Sequence, residues 1–301
     1  MSDNHNEVDL KNWNCEACVR TRPHKYEIPA GLTEFTVLED WYPRSRLPFL
    51  LHPEFREKSQ NLIQRLLAEH LIYFMEYTTT LEHRIVNRAV QTLVHQDLGF
   101  KIPARMKISA LQLYTDEGYH ALVSYELSTR VRSIYKISSN GRDPQRIIDL
   151  EALIENETPS RRNILSILIA FVSETIIAKE LATLSKQALV PAVYEILRDH
   201  LDDEAKHSKL FSYIFLYIWR RSTAADQEYI VTSVKQILAI FFATDEVWLS
   251  QTLLSCEINS QTIDEIMRNL RRHENISQRI VEHAVATLHT LKKAGIDLMY
   301  N

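Results

Sequence analysis

One short pattern occurs twice in the chain. The pattern Asp-Glu-x-x-His stands at residues 116–120 and again at residues 203–207. Residues three apart on an α-helix lie on the same face, so the Glu and the His of each copy would point the same way. In carboxylate-bridged di-iron bundles, two helices each supply a Glu-x-x-His and two further helices each supply one Glu. The repeated pattern therefore predicts most of a site for two metal ions.

Two isolated glutamates complete this pattern. Glu82 lies 35 residues before the Glu of the first motif, and Glu174 lies 30 residues before that of the second. These separations fit one helix, a turn and a returning helix. Glu174 lies in the apolar run 167–181, where an unpaired buried carboxylate would be costly, so a cation should accompany it. Glu69 and Glu76 stay open as alternatives to Glu82.

His200 adds a third histidine to the pattern. It lies four residues before Glu204 and seven before His207, so all three share one helix face. Four carboxylates balance the charge of two Fe²⁺ ions, and a neutral imidazole adds a donor without changing that balance. Manganese or a mixed pair stays open, since the same ligands suit several ions. The candidate ligands are Glu82, Glu117, His120, Glu174, His200, Glu204 and His207.

Asp116 and Asp203 precede the two motif glutamates. A ligating histidine usually donates its other N–H to a carboxylate. Across a bundle, Asp116 would serve His207 and Asp203 would serve His120. The alternative is a solvent-facing aspartate on each helix. We expect the two aspartates to orient the ligands rather than to bind metal themselves.

The composition favours the long helices that such a site needs. Only 5 of 301 residues are glycine, against a usual ~7%. No two glycines are close enough for the loops that bind nucleotide cofactors, so no site of that kind is expected. Proline is concentrated between residues 23 and 53 and is absent after residue 191. We predict an all-α chain with an irregular N-terminal arm over 1–52 and a single helical domain over 53–301.

Apolar periodicity divides this domain into helices. The segment 138–160 is polar and would connect two of them, with one short helix of its own. No convincing strand is present. The predicted helices cover 53–77 and continue to about 96, then cover 103–136, 161–184 and 191–221, with three or four more over 223–298.

Charge and cysteine content exclude several function classes. The net charge is −4 and no basic run of five or more residues occurs, so no nucleic-acid partner is expected. The N-terminus is polar, and the apolar stretch 164–178 is too short and too polar to span a bilayer. Three cysteines fit a reducing compartment, so we expect a cytoplasmic protein without a membrane anchor. Cys15, Cys18 and His24 would form half a zinc site, but no second pair supports one.

The seven-ligand pattern resembles that of the AurF-like di-iron oxygenases, whose namesake is p-aminobenzoate N-oxygenase. The resemblance covers about residues 50–220, and the third histidine separates it from most other carboxylate di-iron proteins. It implies a ferritin-like four-helix bundle core with additional helices, commonly as a homodimer. It also implies that the seven candidates bind two iron ions. The implied activity is oxygenation of an amine to a hydroxylamine, and onward to nitroso or nitro compounds, in natural product biosynthesis.

The mechanism expected from this resemblance uses O₂ as co-substrate. Two Fe²⁺ ions would form a peroxo-di-iron(III) species, and an external reductase would supply electrons. The amine could be a free small molecule or one attached to a carrier protein. The turn before Glu82 contains no arginine that could bind a carboxylate, which argues against p-aminobenzoate itself as the substrate. The same metal pattern fits a hydroxylase or desaturase acting on C–H bonds, and less well a ferritin-like iron oxidase or a non-catalytic helical interaction protein.

Overall fold

Long helices dominate the computed structural model, which describes residues 10, 12–22, 26–96, 98–138 and 141–300. The helices are α1 (Trp13–Glu16), α2 (Cys18–Thr21), α3 (Gln60–Thr80), α4 (Asn87–His95), α5 (Ala104–Tyr135), α6 (Gln145–Glu155), α7 (Pro159–Leu184), α8 (Pro191–Trp219), α9 (Ala224–Phe242), α10 (Glu246–Ser255), α11 (Ser260–His273), α12 (Ile276–His283) and α13 (Val285–Lys293). Helix α3 packs on α5, α7 packs on α8, and α5 meets α8. These helices form the central bundle, and α4 extends α3 along α5 and α7.

The predicted all-α class is confirmed. Within the described residues, a single bridge between Asp40 and Leu189 is the only β-type pairing. Helix α5 begins directly after Pro103, and α7 and α8 each carry proline in the first turn. Proline suits that position because its missing N–H would have no helical partner there. The polar connector 138–160 contains one short helix, α6, as predicted.

One predicted helix start and one predicted number of helices were wrong, and capping side chains explain both. Residues Pro53–Arg56 form only a 3₁₀ turn, and α3 begins at Gln60 because the Ser59 hydroxyl accepts the Leu62 N–H. The C-terminal region contains five helices, not three or four, because polar side chains start additional ones. The capping residues of α9 to α12 are Thr223, Asp245, Asn259 and Asn275.

A π-helical turn, Leu81–Val86, joins α3 to α4 without a break in the helical path. The helix therefore continues to His95, close to the predicted residue 96. Just before the turn, the hydroxyls of Thr79 and Thr80 donate to carbonyl oxygens one turn earlier, a bonding pattern that often bends helices. Such π turns occur frequently at functional sites, and this one contains Glu82.

Helix α7 lies in the middle of the core and is buried continuously from Leu165 to Ile177. The rings of Phe171 and Phe215 stack with centroids 4.4 Å apart and join α7 to α8. Burial of each such side chain stabilises the fold by about 1.5–3 kcal/mol. Glu174 is the one charged residue in this run, and it is only 1% exposed.

The N-terminal segment lies against the bundle. Trp41 is fully buried, and its indole N–H donates to the Tyr135 hydroxyl at 2.8 Å. Between residues 26 and 58 the described chain contains bends and 3₁₀ turns but no α-helix. The division into an arm over 1–52 and a domain over 53–301 stays a prediction.

One stretch of the described residues, Ala224–Ser255, is long and apolar enough to cross a membrane by length and composition. A core helix of a soluble protein passes the same test, so this finding is weak. Here α9 ends at Phe242 and α10 starts at Glu246, and Asp245 between them bonds to neighbouring groups. The expected cytoplasmic location and the absence of a membrane anchor stay predictions.

Candidate metal centre

The seven candidate ligands converge from four helical stretches at the centre of the bundle. The π turn carries one, α5 carries two, α7 carries one and α8 carries three. Each side chain is at most 3% exposed. In chain order they are Glu82, Glu117, His120, Glu174, His200, Glu204 and His207.

Four of these side chains form a first group that could hold an ion. Glu82, His120, His200 and Glu204 each offer one ligand atom, and these atoms all lie within 4.8 Å of one another. The Nε2 atom of His200 lies 2.9 Å from Oε1 of Glu82 and 3.3 Å from Oε1 of Glu204. The same Glu204 oxygen lies 3.4 Å from Nδ1 of His120.

A second group shares two members with the first. Glu117, His120, Glu204 and His207 likewise present ligand atoms within 4.8 Å of one another. Nδ1 of His207 lies 2.8 Å from Oε1 of Glu117 and 3.1 Å from Oε1 of Glu204. Glu174 stands at the edge of this group, with Oε2 3.7 Å from the same nitrogen. Two shared residues place the two groups side by side.

The donor atoms of this cluster fit metal ions. An unsatisfied buried polar atom costs about 1–3 kcal/mol. Ligand atoms about 2.1 Å from one ion and at right angles to each other lie roughly 3 Å apart. Several pairs of atoms in the cluster have this spacing but do not form a hydrogen bond. Atoms without a hydrogen-bond partner include Oε2 of Glu82, both carboxylate oxygens of Glu117, Nδ1 of His120, Oε2 of Glu174, Nε2 of His200 and Oε2 of Glu204.

The shifted pKa values of the cluster also indicate that its buried negative charge needs cations. Burial raises the pKa of Glu82 to about 7, although a neighbouring histidine opposes the shift. Burial, together with the charges of Glu204 and Glu117, raises the pKa of Glu174 well above its ordinary value. Burial alone would lower the pKa of His207, but Glu204 and Glu117 outweigh burial and raise it. Without metal, protons must therefore offset the buried negative charge, and metal binding releases such protons.

Two aspartates contact the far side of the imidazoles. Nε2 of His207 lies 3.1 Å from Oδ2 of Asp116, and Nε2 of His120 lies 3.2 Å from Oδ2 of Asp203. When each Nε2 carries the proton, Nδ1 faces the cluster with a lone pair that can bind a metal ion. The aspartates themselves lie outside both four-residue groups.

Sequence reasoning missed two residues that hold these aspartates. The indole N–H of Trp13 donates to both oxygens of Asp116, at 2.8 and 2.9 Å. The backbone N–H of Cys18 donates to Asp203 at 3.1 Å. Both donors come from the N-terminal segment, about a hundred residues or more from their acceptors in sequence. No local spacing signals such contacts.

The other candidate residues lie outside the cluster. Glu76 forms an ion pair with Arg132 at 2.6 Å, and Glu69 belongs to neither metal-binding group. Cys15 is exposed, whereas the Cys18 thiol donates to a backbone carbonyl at 3.1 Å. His24, the third residue of the alternative zinc site, lies outside the described residues.

A cavity of about 930 Å³ lies against the helical stretches that carry Glu82 and Glu174, although none of the seven candidate ligands lines it. Tyr77 and Leu81 line it from the helix that leads to Glu82, and Ser173 and Ile177 line it on either side of Glu174. The Ser173 hydroxyl is buried and has no hydrogen-bond partner. Further aromatic walls come from Tyr42, Tyr73, Phe74, Phe241, Phe242 and Trp248. The cavity therefore gives a flat organic molecule room beside residues that adjoin Glu82 and Glu174 in sequence.

The fold also supplies the cavity with arginines, which the turn before Glu82 lacks. They come from a 3₁₀ turn, from α6 and from α12, and all three are remote from Glu82 in sequence. They are Arg46, Arg146 and Arg279. The absence of arginine noted from the sequence thus applies to the turn before Glu82 and not to the cavity.

Fold and site together define a helical protein with a buried glutamate–histidine cluster suited to two metal ions. A family model described as p-aminobenzoate N-oxygenase AurF matches residues 32–293, more than four fifths of the chain. The chain belongs to this family, and it is an enzyme of the di-iron N-oxygenase class, an oxidoreductase and monooxygenase.

Proposed function

We propose that the enzyme transfers one oxygen atom of O₂ to the nitrogen of an amine bound in the 930 Å³ cavity. The observation that carries this proposal is the pair of adjoining ligand groups, which share His120 and Glu204. Family membership supports iron as the metal and nitrogen as the site of oxygenation. We assign all seven candidate residues as ligands of two iron ions.

The protein residues would prepare the centre by orienting the histidines, excluding water and positioning the amine. The two iron ions, once bound, supply the reduction of O₂. Asp116 and Asp203 hold the Nε2 protons of His207 and His120, so that each Nδ1 stays directed inward. The aromatic walls exclude water and position the amine on the Glu82 and Glu174 side. Such a dry, shaped site is the main contribution of a protein to metal chemistry.

Electrons must reach the centre from outside the chain. Conversion of an amine to a hydroxylamine consumes one O₂, two electrons and two protons, and it releases one water. The glycine-poor sequence offers no nucleotide-binding loop, so we propose an external reductase as the donor. Repetition of this step would lead to the nitroso and nitro products expected in a biosynthetic pathway, on a free or carrier-bound amine.

Isotope labelling distinguishes this function from its rivals. Iron-loaded enzyme is mixed with ¹⁸O₂, a chemical reductant and a panel of primary amines, and products are analysed by mass spectrometry. We expect one ¹⁸O atom on nitrogen in at least one product. Label on carbon, or a new double bond, would favour a hydroxylase or desaturase, and iron oxidation without any organic product would favour an iron oxidase.

We also propose a homodimer formed through α5. One face of this helix has positions spaced alternately by three and four residues, the pattern by which helices pair; four of them, Ile108, Leu111, Leu122 and Tyr125, are exposed apolar residues. Ile108, Leu122 and Tyr125 are 57%, 54% and 60% exposed. Gly118 lies on the same stripe with open space around it, which would let a second copy of the helix approach closely. Such a stripe is self-complementary about a two-fold axis.

A further inference from the structure

A chain of hydrogen bonds connects the N-terminal segment to the second ligand group. The indole Nε1 of Trp13 lies 2.9 Å from Oδ2 of Asp116, and the same oxygen lies 3.1 Å from Nε2 of His207. The other ring nitrogen of His207, Nδ1, faces the cluster and lies 2.8 Å from Glu117. Two hydrogen bonds that share one carboxylate oxygen therefore join α1 to a candidate metal ligand.

The outer end of this chain is accessible, whereas its inner part is buried. Trp13 is partly exposed, and residues 14–16 beside it are exposed. Asp116 and His207 are each only 1% exposed. A partner protein could thus reach the indole ring from outside, while the carboxylate and the imidazole behind it stay shielded from water.

The second aspartate is held in a different way. Asp203 accepts a backbone N–H, that of Cys18, at 3.1 Å, and no aromatic ring continues the path outward from this amide. This contact shows that a backbone donor is enough to orient such an aspartate. At Asp116 the donor is instead the large π system of Trp13. The indole therefore offers more than the orientation of a carboxylate.

The N-terminal segment and the cavity lie against different parts of the bundle. Helix α2 packs on α5 and α8. The cavity is lined from α3, the π turn and α7, and no residue of α5, of α8 or of the segment 12–22 lines it. A protein that contacts Trp13 would therefore leave the cavity open to a small molecule.

We propose, on the basis of the external electron donor inferred above, that electrons enter the enzyme at Trp13 and pass through Asp116 and His207 to the metal pair. Electronic coupling decays less steeply along covalent and hydrogen bonds than across gaps between packed atoms, which favours this bonded route. Each transfer oxidises the donor, a reduced one-electron carrier protein, by one electron and reduces one iron ion from Fe³⁺ to Fe²⁺. Two transfers restore the reduced pair. No covalent bond forms or breaks, and the three residues return unchanged.

Electron transfer from a label on Cys15 tests this route without turnover. Cys15 is exposed, whereas Cys18 and Cys256 are buried, so a thiol-reactive ruthenium–bipyridine complex attaches two residues from Trp13. Labelled proteins with equal iron content are oxidised with ferricyanide and made anaerobic. A laser flash then reduces the label, with a sacrificial electron donor in solution, and transient absorbance follows reduction of the iron pair. We expect a fast phase in wild type, its loss in Trp13→Phe, and no such phase in iron-free protein.

A second label position separates the route from a structural effect of Trp13→Phe. His83 is exposed and adjoins Glu82 in the π turn, which packs on α5 and α7. His83→Cys, combined with Cys15→Ser, moves the label to this position. Trp13→Phe should leave electron transfer from residue 83 unchanged, whereas a general disturbance of the metal site would slow it as well.

Three results would overturn the proposal. They are equal transfer from Cys15 with and without the indole of Trp13, equal slowing from both label positions, and no transfer from Cys15 in the wild-type background. Since neither O₂ nor an amine is present during the measurement, failure of N-oxygenation leaves the result unaffected, and the two claims fail separately.

Discussion

The indole N–H of Trp13 bonds to both carboxylate oxygens of Asp116, at 2.8 and 2.9 Å. Asp116 in turn contacts Nε2 of His207. Trp13 lies outside the residues 32–293 that match the family, and so does Cys18, whose backbone N–H bonds to Asp203. The segment 12–22 therefore bonds to both aspartates that contact the imidazoles, and it lies against the centre of the bundle.

Replacement of Trp13 should weaken metal binding. Trp13→Phe keeps an aromatic ring but removes the N–H that orients Asp116. Loss of such an outer contact typically reduces metal affinity about 10–100-fold. Anaerobic Fe²⁺ titration against a competing chelator measures this change. Trp219→Phe, which alters a tryptophan stacked on Phe215, should leave the affinity unchanged. Equal affinities for Trp13→Phe and wild type would mean that the bond to Asp116 has no role in metal binding.

The metal-free protein should lose stability as the pH rises. The folded-state pKa of Glu82 is about 7 against an ordinary 4.5, so between these values the native state binds more protons than the unfolded state. Stability then falls with rising pH through this window. The shift corresponds to a loss on the order of 3 kcal/mol for this one group.

Urea unfolding of chelator-treated protein at pH 5, 6, 7 and 8 tests this dependence. Relative to wild type, Glu82→Gln should gain stability progressively from pH 5 to pH 8, since the amide cannot ionise. Bound metal should remove the trend, because a cation then offsets the charge. Parallel pH profiles for the two metal-free proteins would contradict the assignment of Glu82 to the buried, charge-rich cluster.

A charge on the exposed stripe of α5 should prevent dimerisation. Leu122 is 54% exposed on this face, and Leu122→Arg would place two like charges near the two-fold axis. Light scattering coupled to gel filtration should give the mass of a dimer for wild type and of a monomer for this variant. Leu254→Arg alters a residue that is 60% exposed elsewhere and should remain dimeric. A monomeric wild type, or a dimeric Leu122→Arg, would exclude this interface.

The sequence could predict those parts of the site that depend on helical spacing alone. Glu117 and His120 are three residues apart, and His200, Glu204 and His207 follow the same face, so their convergence needs only that both segments are helices. The long helices after Pro103, Pro159 and Pro191 begin within a residue or two of the predicted positions. Local geometry determines these features.

Other features depend on contacts between distant segments. The π turn around Glu82 and the additional caps in the C-terminal region have weak local signals. Trp13 meets Asp116 across 103 residues, and Arg146 reaches the cavity from a connector that reads as polar and unremarkable in sequence. Only the packed fold brings such pairs together, so the residues of the buried cluster could be predicted from sequence, whereas their supporting contacts and the arginines of the cavity could not.

The most direct test of the account is the iron content per chain after anaerobic Fe²⁺ loading and removal of unbound metal. Wild type, Glu117→Ala and Glu76→Ala are compared, the last as an acidic residue paired with Arg132 outside the cluster. We predict two iron ions per chain in wild type and in Glu76→Ala, and a clear loss in Glu117→Ala. Substoichiometric iron in wild type, or equal iron in all three proteins, would contradict a two-iron centre at these residues.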